Sequence, residues 1–186
     1  MPQLTPDERQ LLTERLTSSS QAFLDAIEGL TAEQWTFKPA PEVWSIAEIA
    51  DHVVDAERQL FASIARALKS SAPDPVKGEE IKGKFKLIMK AVPDRSRRVK
   101  VPNPVQSTGC VGSPAELKPC FLETRQRTLD FVAQSEDALH DHFFPHFVFG
   151  DLSCAHWLMM VALHTGRHVQ QIDEVKASSG YPASGS

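Results

Sequence analysis

Hydrophobic residues recur along this chain at helical spacing in four long stretches, and capping signals punctuate each of them. In the first, Leu12, Leu16, Phe23, Ile27 and Leu30 share a stripe behind Thr5-Pro6-Asp7-Glu8. There Thr5 can cap, Pro6 suits the first helical position and Glu8 completes a capping box. The spacing predicts a helix over 6–29 that ends near Gly29, then a short helical turn from Thr31-Ala32-Glu33-Gln34 stopped by Pro39 and Pro41. Ser18–Ser20 is poor helix material, but packing of the stripe overrides so weak a preference. The second stretch, 45–69, opens on the box Ser45-Ile46-Ala47-Glu48, with Trp44 placed to staple onto Ile49. Its buried stripe is Ile46, Ile49, Val53, Leu60, Ile64 and Leu68. The third runs over 113–134 behind Ser113-Pro114-Ala115-Glu116, burying Leu117, Phe121, Leu129 and Val132. The fourth runs from the cap Ser153 to about Ala177, with Leu152 able to staple onto Trp157.

Between the second and third helices lies a long crossover, 70–113, with Pro73 and Pro75 at its start. It is expected to hold one modest helix over 79–91, with Ile81, Phe85 and Ile88 inward, and an irregular stretch over 101–112. The connector His140–Gly150 is unusually aromatic, yet nothing in the chain alternates as a strand would. The small, polar stretch 178–186 is expected to be a disordered tail. The pattern therefore predicts an all-α protein: a single four-helix-bundle domain over 1–177, with a long crossover between helices two and three.

Composition narrows the function classes. At 186 residues the chain is long enough for one domain with a real core. Its net charge of −4 gives no pull toward nucleic acid or anionic lipid. The local basic run Arg95–Lys100 reads as a solvated connector, because nothing aromatic is interleaved with it. The three cysteines, Cys110, Cys120 and Cys154, are odd in number and form no CxxC pair. They argue for a reducing compartment and against a disulfide framework or a thiolate metal cage. The N-terminus lacks a signal-peptide pattern, and the longest apolar run, Trp157–Leu163, is too short to span a membrane. The expectation is a cytoplasmic protein with neither nucleic-acid nor membrane partners.

The chemistry concentrates in His164-Thr165-Gly166-Arg167-His168. Histidines four apart project from one helix face and can converge on a single ion. A catalytic ion of the zinc type takes three protein ligands and keeps a position open, so the pair needs a third. His52, one turn past Glu48 on the second helix, is the candidate. On pattern alone these are equally ordinary helix histidines, since helix pairing is not readable from sequence. His140, His142 and His146 read as rim positions of the aromatic loop, and His156 as a residue near the start of the last helix. Gly166 costs a helix about 1 kcal/mol against Ala; it marks either a close approach by a neighbour or ligand, or a tolerated glycine.

Two motifs together, Trp44-Ser45-Ile46-Ala47-Glu48-Ile49-Ala50-Asp51-His52 and His164-Thr165-Gly166-Arg167-His168-Val169-Gln170-Gln171-Ile172, closely resemble the DinB superfamily. The likeness extends to Val92–Val99 and to Phe149-Gly150 before the last helix. It implies a four-helix bundle carrying a divalent metal on His52, His164 and His168, one ligand from the second helix and two from the last. Nitrogen ligands suit zinc, nickel or iron without choosing among them. Glu48, Asp55 and Gln171 are the nearby groups that could hold the ligands' second ring nitrogens. The resemblance also implies a small-molecule thiol, such as bacillithiol or mycothiol, and an electrophile as substrates of a metal-dependent transferase. The alternatives are a non-catalytic metal-binding or stress-response module and a metal-dependent hydrolase. A homodimer, paired through exposed apolar helix surface, is a further expectation.

Overall fold

The computed structural model describes residues 3–70, 72–96 and 112–183. Most of the irregular stretch expected over 101–112, and the basic run beyond 96, lie outside them. In chain order the elements are α1 (Pro6–Ile27), α2 (Ala32–Thr36), α3 (Ile46–Ser70), α4 (Pro75–Ile81), α5 (Lys84–Ala91), α6 (Pro114–Gln134), β1 (Phe143–His146), β2 (Gly150–Ser153) and α7 (Cys154–Lys176). The helices α1 and α3 each pack against both α6 and α7, which closes the four-helix bundle.

The caps work as the sequence indicates. The Thr5 side chain accepts from the Glu8 amide while the Glu8 carboxylate accepts from the Thr5 amide. Thr31 and Gln34, and Ser45 and Glu48, repeat the exchange. At α7 a histidine does the same job: Ser153 caps the helix, and its amide donates to His156 Nδ1 at 3.2 Å.

Four expectations need correction. The crossover holds two helices where the pattern predicts a single one over 79–91. Asp74 caps the Lys77 amide and Pro75 takes the first turn, so α4 starts early, and Gly83 then breaks the chain before α5. The aromatic connector is a hairpin, with Phe143 paired to Ser153 and His146 to Gly150. Its strands are four residues long, too short to display an alternation. Lys84 Nζ ties it to α5 by donating to the Phe149 and Asp151 carbonyls at 2.9 and 2.8 Å. The segment past 177 also packs: Gln34 Nε2 donates to the Pro182 carbonyl at 3.0 Å, and Tyr181 meets Phe37 edge-on. Of the expected disordered tail, residues 178–183 are therefore docked, and 184–186 lie outside the described residues. The cysteines differ too, since Cys120 is disulfide-bonded and Cys154 is free and buried. Among the described residues no helix is long and apolar enough to cross a membrane.

The core is two apolar clusters with a polar layer between them. One gathers Leu12, Leu16, Ile64, Val132 and Leu158; the other gathers Phe23, Ile46, Val54, Phe121 and Ile172. On each helix the residues between these sets supply the layer: Ser19, Glu57, Arg125 with Thr128, and Thr165. The Arg125 and Glu57 side chains are each 2% exposed and paired at 2.8 Å. Arg125 also donates to the Leu16 carbonyl at 2.6 Å, to Ser19 Oγ at 2.9 Å and to Thr165 Oγ1 at 2.9 Å. Its guanidinium is thereby fully used. A buried fork of this kind fixes the helices' register, because any sliding leaves a charged group without its partner.

Candidate metal centre

His52 on α3 and His164 and His168 on α7 converge, with one ring nitrogen from each lying within 4.8 Å of the others. The close pairs are His52 Nε2 to His164 Nε2 at 3.2 Å and His168 Nε2 to His164 Nε2 at 3.1 Å. Packing of α3 on α7 brings the third histidine to the pair, and the i,i+4 spacing stacks the pair itself.

Proton counting shows what this cluster suits. His168 Nδ1 faces Gln171 Oε1 at 2.9 Å, an acceptor, so the ring proton sits on Nδ1 and Nε2 presents a lone pair. His164 Nε2 has contacts on both sides but can carry a single proton, so the two contacts cannot both be well-made hydrogen bonds. Adding protons is disfavoured. Burial is the main cause that lowers His52 to about 4 and His168 to about 3, and burial with the neighbouring imidazoles holds His164 well below its ordinary value. A cation resolves the conflict, since it takes a lone pair from every ring. Nitrogens held about 2.0–2.1 Å from one tetrahedral ion stand about 3.3 Å apart. The observed 3.1 and 3.2 Å separations are close to that. The donor set fits a divalent ion.

Of the three candidates for supporting the outer ring nitrogens, Gln171 serves His168. Glu48 is engaged by the Ser45 amide and by Lys38, and Asp55 by Gln59. His52 Nδ1 is buried with no hydrogen-bond partner among the described residues.

Trp44, just before α3, also borders the histidine cluster. Its ring is 37% exposed and lies over the centre, 5.0 Å from the His52 ring and 6.4 Å from that of His168, nearly parallel to the latter. The indole walls one side of the histidine cluster. No sequence signal announces that wall, because an aromatic just before a helix reads as a staple. Gly166 is a tolerated glycine, for a Cβ there would meet nothing within 4 Å.

The other histidines have other duties. His140 pairs with Glu8 at 3.2 Å, His142 and His156 are buried, and His146 sits partly buried in the hairpin among Phe147, Phe149 and Trp157. The expectation of rim positions therefore fails for His142. A surface cavity of about 490 Å³ lies between Ile27, Trp35, Pro114 and Lys118 and includes none of the three converging histidines.

Comparison with known proteins agrees with the fold and the motifs. The chain is 26% identical over 151 residues to the uncharacterized protein YuaE of Bacillus subtilis (strain 168), covering 81% of this chain and 88% of that one. Its fold matches that of YfiT from Bacillus subtilis, described as a probable metal-dependent hydrolase with an unusual four-helix bundle topology. That match has a TM-score of 0.59 and 13% identity, and covers 98% of this chain and 93% of the other. A family model for the DinB superfamily matches residues 15–172, a span that takes in the three converging histidines and the Arg125 layer. With the helix order, the paired motifs and this match in agreement, the chain belongs to the DinB superfamily.

Proposed function

We propose that the protein is a metal-dependent transferase that joins a low-molecular-weight thiol to an electrophile, with a divalent ion held by His52, His164 and His168. The observation that carries this reading is a converging set of three neutral imidazoles with no protein nucleophile beside it among the described residues. Cys154 is buried, its thiol pushed up to about 12 chiefly by that burial, and Cys120 is disulfide-bonded. On this reading the nucleophile is a cosubstrate. When bound, a divalent cation in such a site lowers the pKa of a coordinated thiol or water. The protein's own part is to keep its ligands neutral by burial, to orient His168 through Gln171 and to wall the mouth with Trp44. In the overall reaction a carbon–sulfur bond forms, the bond to the leaving group breaks, and the thiol proton departs with that group.

A second reading, hydrolysis, is favoured by the fold shared with YfiT, itself described as a probable metal-dependent hydrolase. Both are tested together. Protein loaded with zinc, nickel or iron is assayed with glutathione, bacillithiol or mycothiol and 1-chloro-2,4-dinitrobenzene, and separately with activated esters and no thiol. Metal-dependent conjugation above the uncatalysed rate supports the transferase. Ester cleavage alone moves the assignment to a hydrolase, and neither activity leaves a binding module.

A further inference from the structure

At the tip of the hairpin, His146 Nδ1 accepts from two backbone amides, those of Val148 at 3.0 Å and Phe149 at 3.3 Å. Two donors on one nitrogen settle the tautomer: Nδ1 is bare and the proton is on Nε2. Among the described residues that Nε2–H has no protein partner. The ring is gripped on several sides, with centroids 4.6 Å from Phe147, 4.8 Å from Phe149 and 5.2 Å from Trp157. Burial lowers its proton affinity to about 4, so it is a neutral donor at physiological pH.

Its place relative to the candidate centre follows from α7. Trp157, on which His146 rests, is seven residues before His164 and lies on the same helix face. Two helical turns separate them, about 10 Å along the axis. A rigid neutral hydrogen-bond donor thus stands roughly two turns from the histidine cluster, a spacing unneeded for holding an ion but suited to an extended ligand.

We propose that His146 Nε2–H is a substrate-contacting group: it takes an acceptor oxygen, a carboxylate or amide carbonyl, at the far end of a ligand whose near end sits at the His52–His164–His168 centre. This rests on the thiol-transferase reading and refines it. The ligand class is an elongated thiol bearing such an acceptor about two helical turns from its sulfur, and a bare small thiol makes no use of the residue.

The test exploits the two nitrogens of His146. Asn places an amide oxygen where Nδ1 stands and preserves the turn, whereas Gln places an amide N–H near Nε2 and preserves the donor. Cobalt(II)-loaded wild type, His146→Asn and His146→Gln are titrated with glutathione and, separately, with 2-mercaptoethanol, following the thiolate-to-cobalt absorption. Thermal melts are recorded in parallel. One lost hydrogen bond to a charged acceptor should weaken glutathione binding about tenfold in His146→Asn. His146→Gln should stay closer to wild type, and 2-mercaptoethanol should bind all three alike. Affinity that instead follows hairpin stability, with Asn near wild type and Gln weak, overturns the assignment, as does an equal loss for both thiols. Thiolate absorption absent from wild type with either thiol removes the transferase reading itself, a result distinct from a thiol that binds without regard to residue 146.

Discussion

Replacing Arg125 by Met should be among the most damaging single changes to this fold. Glu57, 2% exposed, would then keep the Thr128 hydroxyl, at 2.8 Å, as its hydrogen-bond partner in the layer. Removing one member of a buried charge pair costs about 3–5 kcal/mol, mostly the cost of the uncompensated charge left behind. For a chain of this size each kcal/mol moves the melting temperature by about 2–4 °C, so a drop on the order of 10 °C is expected. The double variant Arg125→Met/Glu57→Met should recover most of that loss. The groups that Arg125 and Glu57 release have other partners in place: Ser19 Oγ donates to the Leu16 carbonyl, Thr165 Oγ1 to the Val161 carbonyl and Thr128 Oγ1 to the Thr124 carbonyl. Urea denaturation of wild type, both single variants and the double variant closes the cycle. A single Arg125→Met variant within about 1 kcal/mol of wild type, or a double variant as unstable as the two singles summed, would refute the reasoning.

Other outcomes follow from the same structure. His156 is 3% exposed and lowered to about 4 chiefly by burial, so the unfolded chain, with an ordinary value near 6.5, binds its proton more readily. Its contribution leaves stability flat above about pH 6.5 and lowers it as pH falls toward 4, by about 2–3 kcal/mol; His156→Gln should flatten that part of the pH–stability curve, and an unchanged slope would contradict it. Gly166→Ala should raise stability by about 0.5–1 kcal/mol, since the site is helical and open around the missing Cβ; a lower melting temperature would show a close approach there. Trp44 lies against two of the cluster's rings, so nickel or cobalt should quench tryptophan fluorescence in wild type and much less in Trp44→Phe; equal quenching in both would place the ion elsewhere.

The four long helices were legible because each carries a strong period and a side-chain cap, as Thr5–Glu8 and Ser45–Glu48 show. The His164–His168 pair was legible for a similar reason, since its geometry is local to one helix. His52 was not fixed by pattern, because its role depends on which helices pack together; the resemblance supplied what periodicity lacks. The hairpin over 143–153 escaped because each strand is four residues long and the pair is tied down by Lys84, remote in sequence. The Arg125–Glu57 layer escaped because a charged residue on an amphipathic helix reads as solvated, and burial of that pair is a property of four helices at once. The cysteine count misled, for an odd number does not exclude a disulfide such as that at Cys120.

The central claim is that His52, His164 and His168 hold a divalent ion. Elemental analysis after loading with zinc and exhaustive dialysis tests it most directly, on wild type and on His52→Ala, His164→Ala and His168→Ala, with circular dichroism to confirm that each variant is folded. Wild type should retain a single ion per chain and each variant almost none, because removing one imidazole leaves too few ligands for tight binding. Full metal content in all three folded variants would contradict the account.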